Sequence, residues 1–206
     1  MHSWSAVPVS KVPLKPLPLR VYSTKAQDLV SIPIKDRYQM YVCGITPYDA
    51  THLGHAATYL TFDLVNRFWR ASGSEVNYIQ NITDIDDPLL ERANRDGVDW
   101  RELAHSQIDL FRSDMEALRI LPPEHYEGAV DAIPDVITAI KKLEVLGAVY
   151  KVDNDEYFEV HKDSGFGSES HLNSSQMLEI FAERGGDPNR AGKRDPLDAL
   201  LWLAER

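Results

Sequence analysis

The sequence predicts an α/β fold: a doubly wound parallel sheet carrying a mainly helical insertion with a β-hairpin. Three observations predict it. An apolar run, Tyr38-Gln39-Met40-Tyr41-Val42-Cys43, is followed by a helix-period segment and a second strand-like run, Glu75 to Gln80. A strand, helix, strand order of this length implies a parallel, right-handed unit. Residues 88–146 carry apolar residues at helical spacing, and residues 148–160 alternate like a hairpin around Asp153-Asn154-Asp155.

Taken in order, residues 1–18 hold Pro8, Pro13, Pro16 and Pro18 and read as an extended arm. Leu19-Arg20-Val21-Tyr22 reads as a short strand. Residues 38–43 form the first core strand. Tyr59 to Ala71 reads as a helix with Leu60, Leu64 and Phe68 at spacing four, ended by Gly73. Asp87-Pro88 supplies a cap and a proline at the first position of the next helix. Asp99 to Arg119 carries Ala104, Ile108, Phe111, Met115 and Leu118 on one stripe. Asp131 to Leu146 repeats the pattern with Ile133, Ile137, Ile140 and Leu143, and Gly147 stops it. The hairpin pairs Val149-Tyr150-Lys151-Val152 with Tyr157-Phe158-Glu159-Val160. A helix over Ser175 to Glu183 and another over Pro196 to Arg206 complete the reading. The domain division expected is 1–18 arm, 19–87 first half of a nucleotide-binding domain, and 88–206 helical insertion or connecting domain, cut before a second half.

The chain has 206 residues, 43% of them hydrophobic, enough for a sizeable core. Its net charge of −10 argues against a nucleic-acid surface, because phosphate contacts need Lys and Arg. Cys43 is the one cysteine, so no internal disulfide forms, which suits a reducing cytoplasm. No apolar stretch of about 18 residues exists to span a membrane. The start lacks the apolar core of a secretory signal.

On a doubly wound sheet, ligands lie beyond the carboxyl ends of the strands. Cys43-Gly44-Ile45-Thr46 stands at one such end and Asn81-Ile82-Thr83-Asp84 at the other, so two loops converge on one crevice. Next comes His52-Leu53-Gly54-His55. Gly54 lets a flat ring lie against the backbone, and two imidazoles one turn apart sit near a helix N-terminus, where phosphates bind well. Read alone, such a pair also fits a simple helix cap or part of a metal site. A lone cysteine at a strand end reads as a small hydrophobe. Thr46 and Thr83 read as turn hydroxyls. Of the acidic residues Asp84, Asp86 and Asp87, the last reads as a helix cap, and a magnesium site stays open for the other two. Asn81-Ile82-Thr83 matches a glycosylation acceptor that an intracellular protein does not use. Gly165 and Gly167 are too sparse for a phosphate loop.

The stretch from Cys43 through Asp49 and on through His55 to Tyr59 resembles the ATP-binding signature of class I aminoacyl-tRNA synthetases, in their cysteine-activating branch. The resemblance implies the N-terminal half of a Rossmann-like catalytic domain. It implies that His52 and His55 donate to ATP phosphates, and that Cys43, Gly44, Ile45, Thr46, Thr58, Asn81, Ile82 and Thr83 line the substrate and adenylate. Thr46 and Thr83 would meet the substrate's amino and carboxyl groups, with Thr58 and Asn81 along the adenylate. It implies Cys43 as one zinc ligand, with the remaining ligands and a lysine-rich loop outside these residues. This piece alone would then bind zinc poorly and not turn over.

Two families share that signature: cysteinyl-tRNA synthetases and the mycothiol-pathway ligases that join cysteine to glucosaminyl-inositol. Pro47, Ala56-Ala57, Pro88, the opening Ser3-Trp4-Ser5, and the element Glu183-Arg184-Gly185-Gly186-Asp187-Pro188 resemble the ligases. The implied partners are L-cysteine, ATP with magnesium, and glucosaminyl-inositol, with zinc as cofactor, a monomeric state, no membrane, and tRNA only under the synthetase alternative. A third reading is a non-catalytic nucleotide- or cysteine-binding fragment. A Trp-His-x-Glu-Cys run, a His-His pair and a Lys-Met-Ser-Lys-like loop are expected past Arg206.

Overall fold

The computed structural model describes residues 1–12 and 17–205. Expectations that touch residues 13–16 or Arg206 lie outside the described residues. The chain forms two compact units. The first holds residues 1–12, 17–18 and 33–133; the second holds residues 19–32 and 134–205. The boundary expected at residues 87/88 falls inside the first unit.

The first unit is built on three parallel strands in the order β3–β4–β5: Arg37–Val42, Glu75–Ile82 and His125–Gly128. β3 runs beside β4 from Arg37↔Glu75 to Val42↔Gln80, and β4 beside β5 from Ile79↔His125 to Ile82↔Gly128. Alternation puts Tyr38, Met40 and Val42, then Val76, Tyr78 and Ile82, on the buried face. β5 went unseen in the sequence because four residues, His-Tyr-Glu-Gly, hold one large apolar side chain. Its strand identity comes from its neighbour.

Helix α1 spans Leu53–Ala71, starting six residues before the periodicity suggested. Its buried residues are Tyr59, Asp63, Asn66 and Trp69, and the expected core stripe faces outward, with Leu64 69% exposed. Part of the reason is polar and part aromatic. Asp63 accepts the Leu121 amide (2.8 Å), a partner outside the helix, and within α1 the Arg67 and Arg70 guanidinium groups donate to Asp63 (2.6 Å) and Asn66 (2.7 Å). Trp69 stacks on Tyr38 of β3, and Tyr59 meets Phe111 edge-on.

Helices α2 (Asp87–Asp96) and α3 (Trp100–Ala117) follow. The cap of α2 is Asp86, not Asp87: its carboxylate accepts the Asp87 N–H at 2.9 Å. Asp99, read as the first helical residue, is the cap of α3, and Ala104, Ile108, Phe111 and Met115 are buried as expected, whereas Leu118 is exposed. The start of the arm is anchored. Trp4 is buried, donates its indole N–H to the Ile120 carbonyl (2.7 Å), and meets Phe111 and Tyr126 edge-on.

In the second unit, Leu19–Ser23 (β1) pairs antiparallel with Asp28–Ile32 (β2), a partner the sequence reading lacked. Helix α4, Ala129–Val145, has its first five residues in the first unit and the rest in the second; it buries only Ile140 of its expected stripe, and Gly147 (φ 67°) ends it in the left-handed region. Val149–Val152 (β6) and Asp155–Phe158 (β7) form the hairpin through Asp153-Asn154, so Asp155 belongs to a strand and Val160 to a short 3-10 turn. Helix α5, Ser174–Glu183, has an Asn173/Gln176 capping box. The helix expected at 196–206 is instead a strand, Ala199–Trp202 (β8), antiparallel to β7. Ala-Leu-Leu-Trp tolerates either conformation, and the open edge of β7 decides.

Candidate active site

The carboxyl ends of β3 and β4 are bound to each other. The Gly44 amide donates to Asn81 Oδ1 at 2.9 Å, and the Tyr41 hydroxyl donates to the same oxygen at 2.8 Å. The Thr83 amide donates to the Ile45 carbonyl at 2.9 Å, which carries strand-like pairing into both loops. A Cβ at Gly44 would stand 1.5 Å from the Asn81 carbonyl oxygen, so only glycine fits this crossing. Ile45, Pro47 and Ile82 are buried beneath it.

Cys43 lies just past the end of β3 with its thiol exposed, which sets aside the reading of a buried small hydrophobe. The Tyr59 hydroxyl donates to its carbonyl at 3.3 Å. Burial raises the Tyr59 hydroxyl's pKa, reinforced by Cys43. Among the described residues no group of three or more His, Cys, Asp or Glu side chains converges as a metal site. They do not by themselves fit a zinc centre.

The histidine pair begins α1. His52 is the cap residue, and its Nδ1 accepts the Gly54 N–H at 3.0 Å; the His52 N–H donates to His55 Nδ1 at 3.3 Å. The rings sit 4.2 Å apart at 45°. Backbone amides can only donate, so both Nδ1 atoms are unprotonated. Each neutral ring therefore carries its proton on Nε2, which the cap leaves unused. Burial, and secondly the neighbouring His52, lower the His55 pKa, which keeps that ring neutral. Capping and phosphate binding, alternatives in the sequence, are compatible: the cap holds one nitrogen and presents the other. Thr58, one turn on, donates to the Gly54 carbonyl at 3.1 Å and is exposed.

The acidic run has structural employment that sequence reasoning missed. Asp84 is buried and accepts the Val130 N–H at 3.0 Å, capping α4. Asp86 caps α2 and also accepts the Thr46 hydroxyl at 3.3 Å. Arg92 of α2 grips the loop after Pro47, donating to the Tyr48 carbonyl and to Asp49 at 3.2 Å. The sequence reading placed the cap on Asp87, one residue past the Asp86 that supplies it.

The Glu183 to Pro188 element lies in the second unit. Gly185 (φ 84°) reverses the chain after α5. A Cβ on Gly186 would meet the Phe181 ring at 2.6 Å. Burial alone would raise the Asp187 pKa, but hydrogen bonds from Tyr157 and Lys193 outweigh it and hold the carboxyl below its ordinary value. Lys193 is almost fully buried, 2.9 Å from Asp187 Oδ1, and also donates to the Pro196 carbonyl at 2.8 Å. The element ties α5 to the β6–β7–β8 sheet.

Strand-end loops closed on one another, followed by a helix whose first turn carries two oriented imidazoles, place a crevice at the carboxyl ends of a parallel α/β sheet. Residues 30–206 match the tRNA synthetases class I (C) catalytic domain, and the chain belongs to that family. Over its whole length it is 57% identical to the L-cysteine:1D-myo-inositol 2-amino-2-deoxy-alpha-D-glucopyranoside ligase of Thermomonospora curvata, covering 51% of that protein. It is 56% identical over its whole length to the ligases of the same name from Catenulispora acidiphila and Mycolicibacterium vanbaalenii, covering 49% of each. The chain thus spans about half the length of these curated relatives. In three dimensions it is similar to LeuRS of Agrobacterium radiobacter in a ternary complex with tRNA and LeuAMS. That likeness has a TM-score of 0.51 at 16% identity, covers 75% of this chain and 23% of the other, and concerns the fold alone. No described helix is long and apolar enough to cross a membrane.

Proposed function

We propose that this chain is the first half of an ATP-dependent ligase that activates L-cysteine and condenses it with glucosaminyl-inositol. The observation that carries the reading is its 56–57% identity, over the whole chain, to relatives named for that reaction. In the first step a cysteine carboxylate oxygen attacks the ATP α-phosphorus, the bond to pyrophosphate breaks, and cysteinyl-adenylate forms. In the second the sugar amine attacks the activated carbonyl, loses a proton, and AMP leaves.

The family resemblance, together with the position of each residue, supports the following parts. The Nε2–H groups of His52 and His55 donate to phosphate oxygens where charge builds up. Fixed donors of this kind need no reorganisation as the reaction proceeds. Gly44, Ile45, Asn81 and Ile82 form the floor on which the adenylate lies, with Thr58 beside it. Thr46 and Thr83 orient the amino acid's amino and carboxyl groups, and holding both reactants in place supplies much of the rate. Magnesium enters with ATP. Zinc, when bound, would favour a thiolate over a hydroxyl; Cys43 would provide one ligand, with the others outside these residues. The Glu183 to Pro188 element is scaffold for the second unit. The protein acts as a cytoplasmic monomer on small molecules.

The test uses a polypeptide that carries these residues together with the second half found in the relatives. Cysteine should drive ATP–pyrophosphate exchange, serine should not, and product should form on glucosaminyl-inositol. Exchange with product only on tRNA would assign the protein to the cysteinyl-tRNA synthetases. No cysteine-driven exchange would remove the reading altogether.

A further inference from the structure

Of the three acidic residues after Thr83, Asp86 alone has a carboxylate shared between the fold and the crevice. Asp84 is buried against the start of α4, and Asp87 is the exposed first residue of α2. Asp86 divides its oxygens: Oδ1 accepts the Asp87 N–H at 2.9 Å, and Oδ2 accepts the Thr46 hydroxyl at 3.3 Å. A carboxylate has no proton to give, so the Thr46 proton is committed to Asp86. What Thr46 presents at the end of β3 is therefore an oxygen that can only accept, with a negative charge directly behind it. Such a group attracts a cationic donor and disfavours an anion or a second acceptor. The backbone holds the loop independently, through the Tyr48 amide on the Thr46 carbonyl and the Thr83 amide on the Ile45 carbonyl, both 2.9 Å. The carboxylate thus sets the direction of one hydroxyl rather than the path of the chain.

We propose that Asp86 is a positioning and specificity-determining residue, acting through Thr46 to make the site select the α-ammonium group of its amino-acid substrate. The inference rests on the function proposed above and deepens it. Asp86→Asn isolates the effect, because asparagine caps helices as well as aspartate does. Its amide NH₂ would donate to Thr46 and turn that hydroxyl's proton towards the incoming ammonium. Asp86→Ser keeps a preferred cap and is too short to reach Thr46.

The experiment measures cysteine-dependent ATP–pyrophosphate exchange in the polypeptide with both halves. The probe for the ammonium is 3-mercaptopropionate, which has the thiol and carboxylate of cysteine without the amino group. In both variants the KM for cysteine should rise about tenfold, the scale of one hydrogen bond to a charged group. The KM for ATP should stay put, and inhibition by 3-mercaptopropionate should match wild type. An unchanged cysteine KM overturns the inference. So does a loss of 3-mercaptopropionate inhibition in step with cysteine, or a collapse of thermal unfolding in both variants, since either makes Asp86 merely structural. Wild-type protein without cysteine-driven exchange overturns the functional reading and this role together. Wild-type exchange with indifferent variants overturns this role alone.

Discussion

Replacing Gly44 by alanine tests the crossing on which the site depends. The added Cβ would lie 1.5 Å from the Asn81 carbonyl oxygen and 2.6 Å from its carbon. Ordinary contact begins at 3.4 Å, so the strand ends must separate by about 2 Å. Both colliding atoms are backbone within a ladder, and no rotamer change relieves them. Separation would stretch the Gly44 amide bond to Asn81 Oδ1 and the Thr83 amide bond to Ile45. Overpacking of this kind costs about 1–3 kcal/mol, and in a chain of this size each kcal/mol lowers Tm by roughly 2–4 °C. The melting point, followed by circular dichroism, should drop by roughly 2–12 °C. Misplacing reacting groups by about 1 Å costs about a hundredfold in rate, so cysteine-driven exchange should fall at least that far. Wild-type exchange and an unshifted melt in Gly44→Ala would refute the argument that this close approach builds the site.

Three further outcomes follow from the same geometry. His52→Asn keeps a good helix cap but removes the Nε2–H donor, so melting should hold while exchange drops by about 10²–10³-fold; His52→Ala should lose about 1 kcal/mol of stability as well. Because His55 titrates below the ordinary imidazole value when folded, its stabilisation is complete above the unfolded pKa and is lost as pH falls towards the folded one. A proton NMR titration of the His55 ring should show a depressed midpoint, and a midpoint at or above that of a free imidazole would contradict the cap. Trp4→Ala removes a buried ring with a hydrogen bond to Ile120 and should cost about 3–5 kcal/mol by denaturant unfolding. A loss below about 1 kcal/mol would mean the arm is not anchored.

The local signals carried by the sequence by itself were those with strong periodicity or backbone chemistry. Short apolar runs marked β3 and β4, spacings of three and four marked α3, and Gly147 marked the end of α4. The order of β3, α1 and β4 brought Thr46 and Thr83 to adjacent strand ends before any distance was known. Tertiary structure alone decided what each ambiguous segment became. β5 and β8 are too short to declare themselves and exist because a neighbouring edge offers unpaired hydrogen bonds. The buried face of α1 was decided by the Leu121 amide on Asp63 and by the packing of Trp69 on Tyr38 and of Tyr59 on Phe111, against its own apolar stripe. Local sequence sets which conformations are cheap; distant groups, supplying partners for buried polar atoms, choose among them. The same rule separates Asp86 from Asp84 and Asp87, identical in chemistry and distinguished only by what each carboxylate can reach.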